Sequence, residues 1–526
     1  ITNITYNHWW ALSGFKSMDE KDVNSKYDRQ IRLWSSRGQK SLSRSSVCII
    51  GANTTASETL KNIVLAGIGR AVIIDNDTKV NEDDIASNFF ISYGLTGKNR
   101  AEMITQNISE MNKDVLISVE NRHLKELIKD VPFWNKFDCV ILNQYLPDSG
   151  MSEQLSNILW ENNVCLIKAV NVGLYGSVRI QMQEQDILET HDNNLEDLRI
   201  DNCWSELQDY IDKIDLDGMD DQTFSNVPYS IILSKIYQSF ERTKNQQLTP
   251  SAIRTYIKDH LRRTGEEANL DQACNRAAIV LKRSSSIPSN LQDIFNNLKV
   301  KGDPSSLNNF WLLCRALKIF YEEEGILPLS GVIPDMESDT DQYITLKKLY
   351  ENKFNADKNK MVQIVHRLLG EETLPFTDLQ LTSFVKNCRF MQVHRGSRDL
   401  FRSEILTDRE NSSELRNVNI YLALISTEEF FFKFHRLPTM QDRSKLRTIT
   451  ISLLCRYNSV KDFPDGLDKV LDELCRCSGA QIHNISALIG GIASQEAIKV
   501  ITGQYVTLDN CLSYDGIHSQ AVTWKI

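Results

Sequence analysis

Three features of this chain could do chemistry: a turn with a glycine and an acid downstream of it, an arginine among aromatic residues, and scattered cysteines. The turn is the most informative. Val47, Cys48, Ile49 and Ile50 make a short apolar run, Gly51 opens the segment GANTTA at 51–56, and Asp75 lies 24 positions after that glycine. This is the layout of a nucleotide site, with the acid near where a ribose hydroxyl would be met. A phosphate needs backbone N–H groups that it can approach with no Cβ in the way, so such loops carry several glycines. Only Gly51 survives here. The spacing predicts the scaffold of a nucleotide site without its phosphate cradle. Beyond the apolar run Phe137–Leu142, where an Mg²⁺-binding site would want an aspartate, the chain reads Asn143-Gln144. Asp77, Asp83 and Asp84 read as loop acids.

Arg29 lies in KYDRQIRLW at 26–34. A guanidinium fork stabilises spread phosphate charge, so Arg29 does chemistry only if a phosphate comes near. Otherwise it is a solvated arginine on a surface helix. Tyr27, Ile31 and Trp34 recur at helical spacing and predict one apolar face, with Asp28, Arg29 and Arg32 off it. Of the eleven cysteines, Cys48, Cys139, Cys165, Cys314 and Cys455 sit in apolar runs, which predicts reduced, buried thiols. Cys475 and Cys477 are the closest pair, with no second pair to complete a zinc site, and no metal site is expected.

These residues need elements to hold them. Ser46–Asp75 reads as strand, turn, helix, strand, with Ala56, Leu60, Ile63 and Val64 at helical spacing and Gly67 and Gly69 as the stop. A helix is predicted from Gly97-Lys98-Asn99-Arg100 to about Met111 and another over Leu155–Trp160. Strands are predicted at Val115–Val119, Phe137–Leu142 and Val164–Val170. That alternation implies a largely parallel sheet with helices on both faces. From about Gln181 to 480 the apolar residues recur at three and four, as in Ile231–Phe240, Ile253–Leu261, Phe310–Tyr321 and Met361–Leu369. This is a mainly helical region. Ile485–Ile501 is a nearly all-apolar helix containing Gly490-Gly491, tolerable where another element must come close. Val506–Leu508, Cys511–Tyr514 and Ala521–Trp524 read as strands returning to the first sheet. The domains expected are 18–180 plus 480–526, a discontinuous α/β domain, and 181–479, a helical insert. Residues 1–17 differ in character from the polar segment that Met18 opens and read as an extension before it.

Composition narrows the class. A chain of 526 residues with 41% hydrophobic and 25% charged residues reads as globular with several domains. A net charge of −9 argues against nucleic acid as the main partner. No apolar stretch reads as long enough to cross a bilayer, so no membrane partner is expected. Lys235–Arg262 and Arg389–Arg402 are richer in positive charge and read as solvated faces, with a docking patch as the second reading.

Taken together, KYDRQIRLW at 26–34, the unit at 47–75, GKNRAE at 97–102 and LIGGIASQEAIKVITGQY at 488–505 resemble the adenylation-domain (ThiF-type) family that activates ubiquitin-like proteins. ETHDNNLEDLRID at 189–201, LPLSGVIPDM at 327–336 and the long insert resemble, more narrowly, the regulatory subunits of heterodimeric enzymes that activate a Nedd/Rub-type modifier. The resemblance covers about Lys26 to Ile526. It implies a Rossmann-like fold, and a partner subunit holding ATP, Mg²⁺ and the thioester cysteine, with a Nedd8-like modifier as substrate. It also implies that this chain is not catalytic alone, and a cytoplasmic and nuclear location. The sequence departs from active halves where they carry NxxRQ: Asn88 is followed by Phe89-Phe90-Ile91-Ser92. No PxCT occurs for a thioester. In relatives the arginine of YxRQ reaches into the ATP site of the other half, which implies an in-trans catalytic role for Arg29. The competing readings are the matching half of the SUMO-activating enzyme, against which the insert argues, a non-catalytic scaffold, and a nicotinamide-dependent oxidoreductase, against which the single glycine argues.

Overall fold

The computed structural model describes residues 26–75, 78–191, 196–243, 248–263, 267–370, 373–398, 412–457 and 463–526. The extension at 1–17, Met18, Asp77 and parts of the 189–201 and 389–402 segments lie outside the described residues. The chain divides into two compact units, one made by residues up to 185 and from 394 onward, the other by residues 186–393.

The first unit carries the glycine turn. Its elements are α1 (Asp28–Arg44), β1 (Ser46–Ile50), α2 (Thr54–Ala66), β2 (Arg70–Ile74), α3 (Glu82–Ser87), α4 (Arg100–Ser109), β3 (Leu116–Val119), β4 (Cys139–Leu142), α5 (Ser149–Glu161), β5 (Cys165–Val172) and β6 (Tyr175–Gln181). After the second unit come α6 (Ser412–Phe434), α7 (Arg443–Arg456), α8 (Leu467–Cys477), α9 (His483–Thr502), β7 (Cys511–Asp515) and β8 (Gln520–Trp524). The eight strands run in the order β8-β7-β6-β5-β4-β1-β2-β3. From β5 to β3 the pairing is parallel, with Val47 opposite Ala71 and Cys139. From β5 to β8 it is antiparallel.

The period of two decides the faces. Val47, Ile49, Ala71 and Ile73 point into a core shared with α2, α4 and α9, whereas Cys48, Ile50, Val72 and Ile74 point into a core shared with Leu124, Trp134 and α5. Both faces of β1, β2 and β4 are buried, so their sequences read as continuous apolar runs. α9 meets the length and apolarity of a bilayer span, a correction to the expectation that no stretch would. In the fold it is a core helix packed on α2 and β5. A Cβ on Gly490 would stand 2.9 Å from the Thr55 carbonyl oxygen and 3.0 Å from the Thr59 nitrogen, so this glycine lets α9 cross α2 at close range. A Cβ on Gly491 would make only an ordinary contact, 3.9 Å from Asn62 Nδ2.

The second unit is helical and has two cores. One gathers Leu207, Ile232, Leu270, Leu346 and Tyr350; the other gathers Leu291, Trp311, Leu317, Met361 and Phe384. The 30-residue helix Thr340–Leu369 serves both, its first half in one core and its second half in the other. Asp339 caps its start through the Gln342 N–H (2.7 Å), and Gly370 ends it in the left-handed conformation.

The structure corrects the sequence reading in several places. The helical insert is shorter than 181–479, because residues 394–479 belong to the first unit. There α6, α7 and α8 bury Ile420, Phe430, Leu446, Leu453 and Leu471 in a core with Val170, Tyr175, Cys511 and Trp524 of the antiparallel strands. Helical periodicity shows that a segment is helix, not which sheet it covers. Tyr175–Gln181 is a strand that the sequence pattern does not reveal, although it is buried along its whole length. Val506–Leu508 is not a strand. Its polar groups are met by side chains instead: the Leu508 N–H donates to Glu496 (2.8 Å) and the Thr507 hydroxyl to Gln185 (2.5 Å). Ile253–Leu261 is α-helical only to Tyr256 and widens into a π turn over Ile257–Leu261. Cys455 is exposed, unlike the other apolar-run cysteines, and every described cysteine is a free thiol.

Candidate functional site

The strand order places the ends of β1, β4 and β5 side by side, which is where open α/β sheets bind ligands. A crevice of about 670 Å³ opens there, lined by Asn53, Asp84, Arg100, Asn143, Cys477 and Gln481 among others. β1 delivers Gly51 in the left-handed region (φ +100°), the one turn position that needs a glycine. The Gln144 side chain, just after β4, lies over it, 3.2 Å from where a Cβ would be.

Most donors of this turn are already taken. The Gly51 N–H donates to the Ile74 carbonyl (2.8 Å) and the Ala52 N–H to Asp75 Oδ1 (3.2 Å). At the start of α2 the Thr55 N–H donates to Gln481 Oε1 (3.3 Å), the Ala56 N–H to the capping Asn53 Oδ1 (3.0 Å) and the Ser57 N–H to the Asn53 carbonyl (3.0 Å). Asn53 Nδ2 in turn donates to the Asn143 carbonyl (2.5 Å), joining β1 to β4. Thr54 and Ser87 share a hydroxyl hydrogen bond of 2.9 Å. A helix N-terminus attracts anions because its first N–H groups lack partners, and here the Thr55 and Ala56 N–H groups have them. The residues present do not fit a nucleotide's phosphates.

The acid is occupied as well. Arg100, the first residue of α4, reaches back across the end of β2 to Asp75. Its Nε donates to Oδ2 and its Nη2 to Oδ1, both at 2.9 Å, and its Nη1 donates to Asp84 Oδ1 at 3.0 Å. Asp75 is 2% exposed and the Arg100 side chain 12%. Burial pushes the Asp75 carboxyl above its usual range, while the Arg100 fork and the Ala52 N–H pull it part of the way back. The position that would meet a ribose hydroxyl thus holds an internal bidentate ion pair. The sequence leaves open whether Lys98 and Arg100 do more than face solvent. For Arg100 the structure answers: it is a buried part of the site. Nothing in the spacing could reveal this, since the pairing depends on β2 ending beside the start of α4.

The departure after Asn88 also has a structural use. Asn88 is buried, donating to Ser57 Oγ (2.8 Å) and accepting from the Phe90 N–H (3.0 Å). Phe89 stacks on His483 with centroids 3.6 Å apart. Phe89 and Tyr93 are exposed aromatic side chains.

Arg29 lies on α1, exposed, and is not among the residues lining the crevice. Among the described residues its side chain has no hydrogen-bond or ion-pair partner. Tyr27 just before it is buried, its hydroxyl accepting from Asn112 Nδ2 (2.9 Å) and its ring against Gly67, where a Cβ would stand 2.7 Å away. The single apolar face predicted for 27–34 does not continue as one helix. The helical geometry breaks at Trp34 and Ser35, where Ser35 has φ 62° and ψ 170°.

The thiols are poor nucleophiles where burial acts on them. It pushes Cys203 up to about 11 and Cys388 to about 12 in the helical unit, and Cys477, beside the crevice, to about 11.

The ThiF family model matches residues 27–526. A zebrafish (Danio rerio) protein named NEDD8-activating enzyme E1 regulatory subunit is 33% identical over 95% of this chain and 98% of its own length. The chain belongs to the ThiF family, with the NEDD8-activating enzyme E1 regulatory subunits. In Arabidopsis thaliana the similar family member named NEDD8-activating enzyme E1 regulatory subunit AXL is 33% identical over 95% of this chain and 99% of its own. The Saccharomyces cerevisiae regulatory subunit is 27% identical over 95% and 100%. Among solved structures, E. coli MccB aligns at a TM-score of 0.27 and 18% identity over 30% of this chain and 46% of its own, too little to argue from. The Rossmann-like α/β fold with its discontinuous sheet is the fold of a ThiF family member.

Proposed function

We propose that this chain is the regulatory half of a heterodimeric enzyme that activates a NEDD8-like modifier, and that it completes a partner's active site rather than running its own. The observation that carries this is the engaged turn: the Gly51, Ala52, Thr55 and Ala56 N–H groups and the ribose-type acid are bonded internally, in a chain similar over nearly its whole length to NEDD8-activating regulatory subunits. The partner would hold ATP and Mg²⁺, adenylate the modifier's C-terminal carboxylate with loss of pyrophosphate, and take the acyl group onto its own cysteine. Neither nucleic acid nor membrane enters this function, and the location that goes with it is cytoplasmic and nuclear.

Arg29 is the residue offered in trans. Cleavage at the α-phosphorus leaves charge on pyrophosphate, which a guanidinium stabilises, and supplying it from the second subunit makes the chemistry depend on correct pairing. The exposed position of Arg29, away from its own crevice, supports this role. With the purified heterodimer, Arg29→Ala should leave the complex intact and slow modifier-dependent ATP–pyrophosphate exchange at least about tenfold, roughly 1.4 kcal/mol. An unchanged exchange rate would remove Arg29 from the mechanism. Testing a SUMO-type modifier in the same assay separates the SUMO-activating alternative. ATP-dependent, thiol-sensitive charging of a modifier by this chain alone would overturn both the regulatory and the scaffold readings.

A further inference from the structure

We infer that Gln504 and Tyr505 are positioning residues that aim Arg29. This rests on the in-trans reading of Arg29 above.

α1 breaks at Trp34 and Ser35. Ser35 at φ 62° and ψ 170° occupies backbone space that residues other than glycine rarely enter, so the segment 28–33 is a separate short arm and not the first turns of a continuous helix. A break frees carbonyls from the helical ladder for other donors. Two are supplied from one place. The Tyr505 hydroxyl donates to the Leu33 carbonyl at 2.9 Å, and Gln504 Nε2 donates to the Trp34 carbonyl at 2.8 Å. Both donors directly follow Gly503, the left-handed cap of α9. α9 is a core helix seated on α2 through Gly490, so the two donors are mounted on one of the better anchored parts of the first unit. Gln504 is fully buried.

The other end of the arm is fixed independently. Tyr27 is held by Asn112, and Asn112 Nδ2 also donates to the Val64 carbonyl (2.8 Å) at the end of α2. Inside the break, Trp34 Nε1 donates to Gln39 Oε1 (3.0 Å), and Gln39 Nε2 to the Ala66 carbonyl (3.0 Å). The arm is therefore tied to the core at both ends, while Arg29, two residues after Tyr27, is exposed. An exposed guanidinium acting on another chain's phosphate must be placed to within about an ångström, since small misplacements of a catalytic group cost large factors in rate. The pair at 504–505 supplies that placement from the C-terminal side.

The test is a double-mutant cycle in the complex with the catalytic partner, read by modifier-dependent ATP–pyrophosphate exchange. Tyr505→Phe keeps the ring and removes the donor. Gln504→Met keeps the volume and removes the amide, and size-exclusion chromatography reports whether each variant still pairs. Tyr505→Phe should lower kcat about three- to tenfold, the range of one lost hydrogen bond, with KM for ATP within about twofold. In the Arg29→Ala background the same substitution should change kcat by less than about 1.5-fold, because the residue it aims is gone. Equal slowing in both backgrounds, or no slowing while Arg29→Ala is slow, would overturn the inference alone. No effect of Arg29→Ala itself would overturn the in-trans reading and this inference with it.

Discussion

Replacing Arg100 by Met tests whether the acid of the nucleotide-type site is held by an internal ion pair. The substitution keeps most of the stem volume and removes three charged hydrogen bonds, two to Asp75 and one to Asp84. Both carboxylates stay buried, at 2% and 7% exposure. Breaking a buried pair by removing one partner costs about 3–5 kcal/mol, mostly because the charge left behind is uncompensated. With a melting shift near the lower end of about 2–4 °C per kcal/mol for a large domain, the variant should melt roughly 6–10 °C lower. The loss should depend on pH. Asp75 already has a folded-state carboxyl raised by burial, and losing the guanidinium raises it further. A group whose pKa is higher in the folded state favours folding below its unfolded pKa and loses that contribution as pH rises through the folded pKa. The gap between variant and wild type should therefore widen from about pH 5 to pH 7.5. Adding Asp75→Asn to Arg100→Met should recover a large part of the loss at pH 7.5, since the stranded charge is gone. Thermal melts of the purified protein at the two pH values suffice. A loss under about 1 kcal/mol at pH 7.5, or one that shrinks with rising pH, would refute the argument that this pair engages the buried acid.

Three further outcomes are expected of the same structure. Gly490→Ala should destabilise by about 1–3 kcal/mol, because its Cβ meets the α2 backbone, while Gly491→Ala should be neutral or stabilising by up to about 1 kcal/mol, because it gains helix propensity without a clash; in urea melts only Gly490→Ala should lower the midpoint. Ser35→Gly should stabilise by about 1 kcal/mol by relieving the strained backbone at the break in α1, seen as a higher denaturation midpoint with unchanged slope, and Ser35→Val should do the reverse. Isothermal titration of the purified chain with ATP and Mg²⁺ should give no tight binding, and ATP seated on the Gly51 turn would end the regulatory reading.

How much of this is legible without coordinates differs from feature to feature. Buried parallel strands announce themselves, because both faces are covered and every position is apolar; Val47–Ile50, Ala71–Ile74 and Cys139–Leu142 are all readable as strands. The glycine-poor turn is equally plain, since a missing glycine is a chemical fact about the chain. Tyr175–Gln181 escapes notice because Gly176, Ser177 and Arg179 interrupt the apolar run, although all are buried within the sheet. The return of the chain to the first unit at residue 394 is hidden because the helices that cover a sheet and the helices that cover each other share one periodicity.

The sequence by itself determined that a nucleotide-type α/β unit is present, that its phosphate turn is incomplete, and that an arginine precedes it on an aromatic-flanked segment. Those are local properties of neighbouring residues. Only the tertiary structure decided that Arg100 fills the place beside Asp75, that Gln481 caps the first turn of α2, and that Gln504 and Tyr505 hold the arm that carries Arg29. Each of these contacts joins residues from 25 to more than 400 positions apart. Side chains that far apart meet only because the sheet order and the crossing of α9 over α2 bring their backbones together, and that arrangement is a property of the whole packed core.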